Sequence, residues 1–368
     1  MRVRPSQISE PMPISMSSCP RSATWSGMFF NCTDNARRPA RILIVRLGAM
    51  GDVIHTLPAV ADLRAGFPDA FIVWVVEARW SALLQGNPHI NRIIRVGLRE
   101  WRNAKLSPES WSQAAVFAHD LRDGDFDLAL DFQGLLKSAV IARLSRARLC
   151  AGFERSSLRE PLAELLYDRT VVPSKPHVVD RYRDLTAFVT GSPVPEAATF
   201  ALPPGAPSSL PGRFVLASPQ AGWGAKQWPP EHYSTLAGMI QAEHGLPLVI
   251  DCAPSDHTLA DEICRNAPPG AAVPHPSTIP QLIEATRQAE AVVGVDSGPM
   301  HLAGALGKRG VAIFGPTDPA RNGPYGSSIK VIRLDNAHTT YKRASDPSGS
   351  MRACSPDLVC ESLRPLIP

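Results

Sequence analysis

A chain of 368 residues with 44% hydrophobic and 20% charged side chains is long enough for two hydrophobic cores and has a globular balance, which excludes a fibrous or wholly disordered protein. The formal net charge of +4 suits an anionic substrate or a membrane surface and falls far short of a nucleic-acid footprint, so no nucleic-acid partner is expected. The seven cysteines lack zinc-like spacing and are expected as reduced thiols of a cytoplasmic chain, and no apolar run approaches bilayer-spanning length.

Residues 1–40, rich in Ser, Pro and Arg, are expected to form a disordered extension without the apolar core of a secretory signal. From Arg41 onward, short apolar runs (42–47, 71–76, 93–96, 128–131 and Val171-Val172) alternate with helical spacing (53–66, 80–84, from Leu135, and 180–189). That alternation predicts an N-terminal Rossmann-like domain over 41–190, its parallel sheet covered on both faces. Pro, Ala, Gly and Ser gather at 191–210, which reads as a linker. The alternation restarts over 211–337, with strands at 214–217, 247–251, 291–295 and 311–314 and helices at 231–243, 256–266, 279–289 and 300–307. Residues 338–368, with one helical candidate at 356–363, are expected to pack back on the N-terminal domain.

Two glycine-bearing turns stand out, each after an apolar run and each with one aspartate. The first is Gly48-Ala49-Met50-Gly51-Asp52 after Ile42-Leu43-Ile44-Val45, and the second is Asp296-Ser297-Gly298 after Ala291-Val292-Val293-Gly294-Val295. A turn of this kind opening a helix presents backbone N–H groups where a phosphate or carboxylate is favoured. Asp52, in the first helical turn, is placed either to cap the helix or to take a proton from an attacking hydroxyl. Ser297 and Gly298 offer amides at a helix start where Pro299 suits the first position, and His301 lies one turn further in. Lys226, in the loop 222–229, is either a solvated lysine or a point charge for a leaving phosphate. Gln133 and Lys137 follow the strand 128–131 at its carboxyl edge, where open α/β sheets bind ligands. Asp123-Gly124-Asp125-Phe126-Asp127 reads as a solvated turn rather than a metal-binding pair. The dinucleotide fingerprint and the phosphate loop are both missing, which disfavours a nicotinamide oxidoreductase.

The blocks Arg41–Ala59 (RILIVRLGAMGDVIHTLPA), Asp131–Ser138 (DFQGLLKS), Arg159–Ala163 (REPLA), Lys226–Pro229 (KQWP) and Gly294–Leu302 (GVDSGPMHL) together resemble glycosyltransferase family 9, the ADP-heptose:lipopolysaccharide heptosyltransferases, and within it the heptosyltransferase I subgroup. The resemblance implies a GT-B architecture, two Rossmann-like domains facing across a cleft, the first for the acceptor and the second for the nucleotide sugar. It implies inverting transfer of L-glycero-D-manno-heptose from ADP-heptose to a Kdo residue of Kdo-lipid A, with Asp52 at the position of the general base. Lys226, Asp296, Ser297, Gly298 and His301 match the donor-binding positions. Gly51, His55, Gln133 and Lys137 are the acceptor-side candidates. An acidic residue near the ribose is expected at Asp256, with Asp251 as the other choice.

No metal site and no required cofactor are expected, since cationic and dipolar groups would take the charge of the leaving ADP. An anionic glycolipid acceptor implies peripheral contact with the inner face of the inner membrane. The alternatives are a family-9 transferase of another nucleotide sugar or acceptor, and a nonenzymatic protein that binds a sugar nucleotide or lipid A.

Overall fold

The computed structural model describes residues 38–103, 107–340 and 349–368, so the expected disorder of the N-terminal extension falls almost entirely outside the described residues. The first six strands are β1 (Arg41–Val45), β2 (Phe71–Glu77), β3 (Arg92–Val96), β4 (Leu128–Asp131), β5 (Leu149–Phe153) and β6 (Arg169–Val171). They form one parallel sheet in the order β3-β2-β1-β4-β5-β6. The next six are β7 (Val215–Ser218), β8 (Leu248–Cys252), β9 (Ala272–Pro276), β10 (Ala291–Val295), β11 (Gly310–Phe314) and β12 (Ile329–Arg333). These make a second parallel sheet, ordered β12-β11-β10-β7-β8-β9.

Parallel strands covered on both faces read as unbroken apolar runs, and Ile42, Leu43, Ile44 and Val45 are all fully buried. In each sheet the chain reverses its direction of travel at one place, between β1 and β4 in the first and between β7 and β10 in the second. Such a switch point opens a crevice at the carboxyl ends of the strands. Both glycine-bearing turns leave from strands at a switch point, β1 and β10.

The helices are α1 (Met50–Gly66), α2 (Leu98–Asn103), α3 (Pro108–Arg122), α4 (Leu136–Leu144), α5 (Val178–Thr190), α6 (Pro230–His244), α7 (Thr258–Asn266), α8 (Ile279–Gln288), α9 (Gly298–Ala305), α10 (Pro319–Asn322), α11 (Ser350–Ala353) and α12 (Pro356–Leu363). On one face of the first sheet α1 and α5 pack through Val53, Leu57, Val60, Tyr182 and Leu185. The other face is covered by α3 and α4 through Phe117, Leu121, Ile141 and Ala142. Helix α3 lies outside the predicted pattern because it buries only Phe117 and Leu121, although Ser107 caps it and Pro108 stands at its start.

The structure adds three features of organisation that the sequence did not show. The segment 191–210 is fastened to both halves: Asn87 donates to Ala201 O, Ala206 N to Pro280 O, and Arg287 to Pro203 O. The chain from residue 349 to the end packs on the second domain, not the first. Met351, Cys354, Val359, Cys360 and Leu363 are buried with Trp228, Tyr233, Leu236 and Ile240, and the Trp228 indole donates to Cys354 O at 2.8 Å. The apolar side of α12 finds its nearest apolar partner on α6, and a two-pronged Arg364–Glu243 pair holds the edge. The third feature concerns the core. One apolar cluster runs from Ile42 and Ile54 through Met50 to Met300, Leu302 and Phe314, so the two domains share buried surface.

Asp127, from the turn read as solvated, is also structural, since Oδ2 accepts from Ala40 N and Arg41 N. Among the described residues no helix is long and apolar enough to cross a membrane, and Cys150, Cys252, Cys264, Cys354 and Cys360 are free thiols.

Candidate active site

The two glycine-bearing turns meet head to head, because α1 and α9 begin against one another. A Cβ added to Gly51 would stand 2.3 Å from His301 Cδ2, and one added to Gly298 would stand 2.7 Å from Met50 Cβ. Both glycines therefore allow close approach across the domain interface; neither has the positive φ of a left-handed turn. Gly51→Ala is expected to force the helices apart, costing about 1–3 kcal/mol by overpacking, and a thermal melt beside an activity assay reads both consequences.

On the first-domain side, Arg46 leaves the end of β1 and is 4% exposed. Its guanidinium donates to Phe132 O at 2.9 Å, lies over the Tyr182 ring at 5.2 Å, and pairs with Asp52 Oδ1 at 2.7 Å. Burial works most strongly against the charge on Arg46, but Asp52, Tyr182 and Asp131 together outweigh it and the pKa is raised. The other Asp52 oxygen accepts from Ala49 N at 3.0 Å. Asp52 thus does cap its helix, and its side chain still keeps 42% exposure at the cleft mouth.

On the second-domain side, Asp296 is 6% exposed at the end of β10. Lys226 Nζ pairs with Oδ2 at 2.5 Å, Thr317 Oγ1 donates to the same oxygen at 2.6 Å, and His301 Nε2 lies 3.4 Å from Oδ1. Burial alone would raise the Asp296 pKa, but His301 and Lys226 together hold it well below the usual carboxylate range. Lys226 also sits over the Trp223 ring at 4.5 Å. The first N–H groups of α9 have no intrahelical acceptors and lie beside this cationic cluster, while the buried Ser297 hydroxyl and His301 Nδ1 have no protein partner.

The acceptor-side candidates divide. Gln133 Oε1 accepts from Leu47 N at 2.9 Å and so fastens the loop that carries Asp52. Lys137 does not join the cluster; it is exposed on α4, on the sheet face opposite α1. His55 lies at the domain seam between two other histidines. It is 3% exposed, with its ring 4.4 Å from that of His301 and 5.6 Å from that of His177, and burial followed by these two neighbours drives its pKa well down. Its Nε2 is buried at the domain seam without a protein partner. Gly51 acts through its missing side chain.

Asp256 lies exposed in the loop after β8, its carbonyl accepting from Gln220 Nε2. Asp251 is buried and accepts from Ser277 Oγ at 2.6 Å. Burial pushes the Asp251 carboxyl up to about 7. A raised folded-state value means stability is fully present below the unfolded pKa of about 3.9 and declines as pH rises toward 7. Asp251→Asn is therefore expected to flatten the stability profile across that window and to be more stable than the parent at pH 8, as denaturant titrations would read.

Thr317 and His177 escaped the sequence reading, and Arg46 was legible only as one of several arginines of the first half that could meet an acidic or phosphorylated acceptor. Arg46 carried a signal, an arginine at the end of a wholly apolar strand. Among the described residues no group of three or more His, Cys, Asp or Glu is arranged to hold a metal ion.

A family model described as glycosyltransferase family 9 (heptosyltransferase) matches residues 115–351. Lipopolysaccharide heptosyltransferase 1 of Escherichia coli strain K12 is 31% identical over 299 residues, 80% of this chain and 93% of that protein. The chain belongs to glycosyltransferase family 9. The Pseudomonas aeruginosa lipopolysaccharide heptosyltransferase 1 is 33% identical over 78% of this family-9 chain and 82% of its own. The solved structure of E. coli heptosyltransferase WaaC with ADP aligns at a TM-score of 0.76 and 29% identity, covering 89% of this chain and 99% of that one. The two facing parallel sheets of this transferase are the GT-B architecture.

Proposed function

We propose that this transferase moves L-glycero-D-manno-heptose from ADP-heptose to a Kdo residue of Kdo-lipid A, with inversion at the anomeric carbon. The observation that carries this reading is the head-to-head contact of the two switch-point turns, which sets the exposed Asp52 carboxylate across the seam from the Lys226–Asp296 cluster. The names of the relatives, heptosyltransferase 1, and the ADP in the WaaC structure support the choice of donor.

In this reading the acceptor hydroxyl attacks the anomeric carbon as its proton passes to Asp52, and the bond to the ADP oxygen breaks on the opposite face. Arg46 holds one Asp52 oxygen and Ala49 N the other, which orients the carboxylate without hiding it from solvent. Negative charge developing on the diphosphate is met by Lys226 and the N-terminus of α9, beginning at Ser297 and Gly298. His301 braces Asp296, and no metal or other cofactor is assigned a step. The acceptor is a membrane glycolipid, so the protein works at the cytoplasmic face of the inner membrane.

The test is incubation with ADP-heptose and Kdo-lipid A, following the product by mass and its new linkage by NMR. A heptosylated product of inverted configuration is expected. Retained configuration would sink the single-displacement geometry. Donor binding without turnover on any glycolipid acceptor would favour a binding protein instead, and turnover with a different nucleotide sugar would reassign the donor.

A further inference from the structure

Strand β4 ends on a carboxylate that belongs to neither cluster of the site. Asp131 is fully buried, and four neutral donors converge on it. Oδ1 accepts from Gln133 N at 2.8 Å and Gly134 N at 3.1 Å, while Oδ2 accepts from Ser138 Oγ at 2.8 Å and Tyr167 OH at 2.7 Å. Burial pushes this carboxyl up, and the four donors pull it back because each bond favours the charged form. Tyr167 follows the 3-10 turn Pro161–Leu166 and reaches Asp131 across β5. Gly152 makes room for its ring, since a Cβ there would stand 2.5 Å from Tyr167 Cε2.

A strand end does not need a charge to cap two amides, and burying a carboxylate is costly. What the four bonds achieve is the shape of the loop 132–134, which makes two contacts with the segment that carries Asp52. Phe132 O accepts from the Arg46 guanidinium at 2.9 Å, and Gln133 Oε1 accepts from Leu47 N at 2.9 Å. Arg46 in turn holds Asp52 Oδ1 at 2.7 Å. The charge of Asp131 is also among those that favour the charged form of Arg46.

We propose that Asp131, clamped by Tyr167, is the positioning residue for Asp52: it sets the loop 132–134 that orients Arg46 and, through Arg46, the Asp52 carboxylate. The inference rests on the reading above that Asp52 takes the acceptor's proton. Both residues act through the loop and not on the substrate. When one of the four bonds is lost, the loop relaxes and its grip on Arg46 and Leu47 slackens. A displacement of about 1 Å at a reacting group is enough to cost roughly 10²-fold in rate.

The experiment compares Tyr167→Phe and Asp131→Asn with the parent, each also made in an Asp52→Asn background, with a melting curve for every protein. Tyr167→Phe keeps the ring beside Gly152 and removes one donor, so it tests the proposal even where Asp131→Asn fails to fold. It is expected to lower kcat by about 10–10²-fold. The KM for ADP-heptose and the affinity for ADP by calorimetry should not change, because the Lys226–Asp296 cluster lies in the other domain. In the Asp52→Asn background the same substitution should change kcat by about twofold or less, since residues that act as a unit are not additive. Hydrogen exchange without substrate should be faster at the Leu47 and Ala49 amides, which bond Gln133 and Asp52.

Unchanged exchange at Leu47 and Ala49 in Tyr167→Phe would overturn the proposal. So would an equal fractional loss of kcat in both backgrounds, because a defect of folding or of active fraction scales any residual rate alike. A loss confined to a raised donor KM would place the effect in the other domain and overturn it too. Parental kcat in Asp52→Asn, with exchange still quickened by Tyr167→Phe, would defeat the proposed base and leave this anchoring of its loop in place.

Discussion

Asp52→Asn is expected to lower kcat by about 10²–10⁴-fold, the range for removing a general base. The substitution is chosen because an amide oxygen still accepts the Ala49 N–H bond, so the first turn of α1 keeps its cap. What is lost is the basic lone pair and the counter-charge of Arg46. Arg46 is nearly buried, but its partner is 42% exposed, and Phe132 O and the Tyr182 ring remain. The cost in stability should therefore fall between that of a solvent-screened pair and that of a buried one, about 1–3 kcal/mol. Steady-state kinetics at saturating donor, with a melting curve for each protein, separate the two effects. A folded variant with parental kcat would remove Asp52 from the chemistry and leave it a helix cap.

Lys226→Met should lower kcat/KM by about 10²–10³-fold, comparable to deleting one preorganised donor to a developing charge, and should weaken ADP binding measured by calorimetry. Asp296→Asn addresses the same cluster from the other side. It leaves Lys226 and His301 packed at the seam without their counter-charge, and breaking a buried pair in this way costs about 3–5 kcal/mol. The depressed pKa of Asp296 gives the pH dependence its sign. The stability it contributes is present above the ordinary aspartate value of about 3.9 and is lost as pH falls toward the lower folded value. The parent should thus lose stability more steeply in acid than Asp296→Asn. Combining the two substitutions should recover part of the stability and none of the activity; recovery of activity would mean that the lysine serves the aspartate and never meets the donor.

Much of the site was legible because its parts are local. An apolar run, a glycine and an aspartate at a helix start announce a loop at the carboxyl end of a buried strand, and Asp52, Asp296, Ser297 and Gly298 were found that way. Lys226 was legible only as a loop lysine with a motif around it. Its partner lies 70 residues away, a separation no periodicity spans. His55 was legible from its motif, but its neighbours in space, His177 and His301, were not. The C-terminal helix was misplaced for the same reason, since an apolar face states that a partner exists without naming which helix it is.

The sequence by itself determined the central strands of both sheets, most of the helices that alternate with them and the two turns, because burial on both faces, turn chemistry and helix starts are written within a few residues of one another; it missed β5, β9, β12, α2 and α3. Only the tertiary structure decided that β1 and β10 stand at switch points, that the Arg46 guanidinium grips Asp52, and that Thr317 and Lys226 converge on Asp296. Those facts depend on strand order and on close packing between segments far apart in the chain, and such contacts form only when the whole hydrophobic core closes.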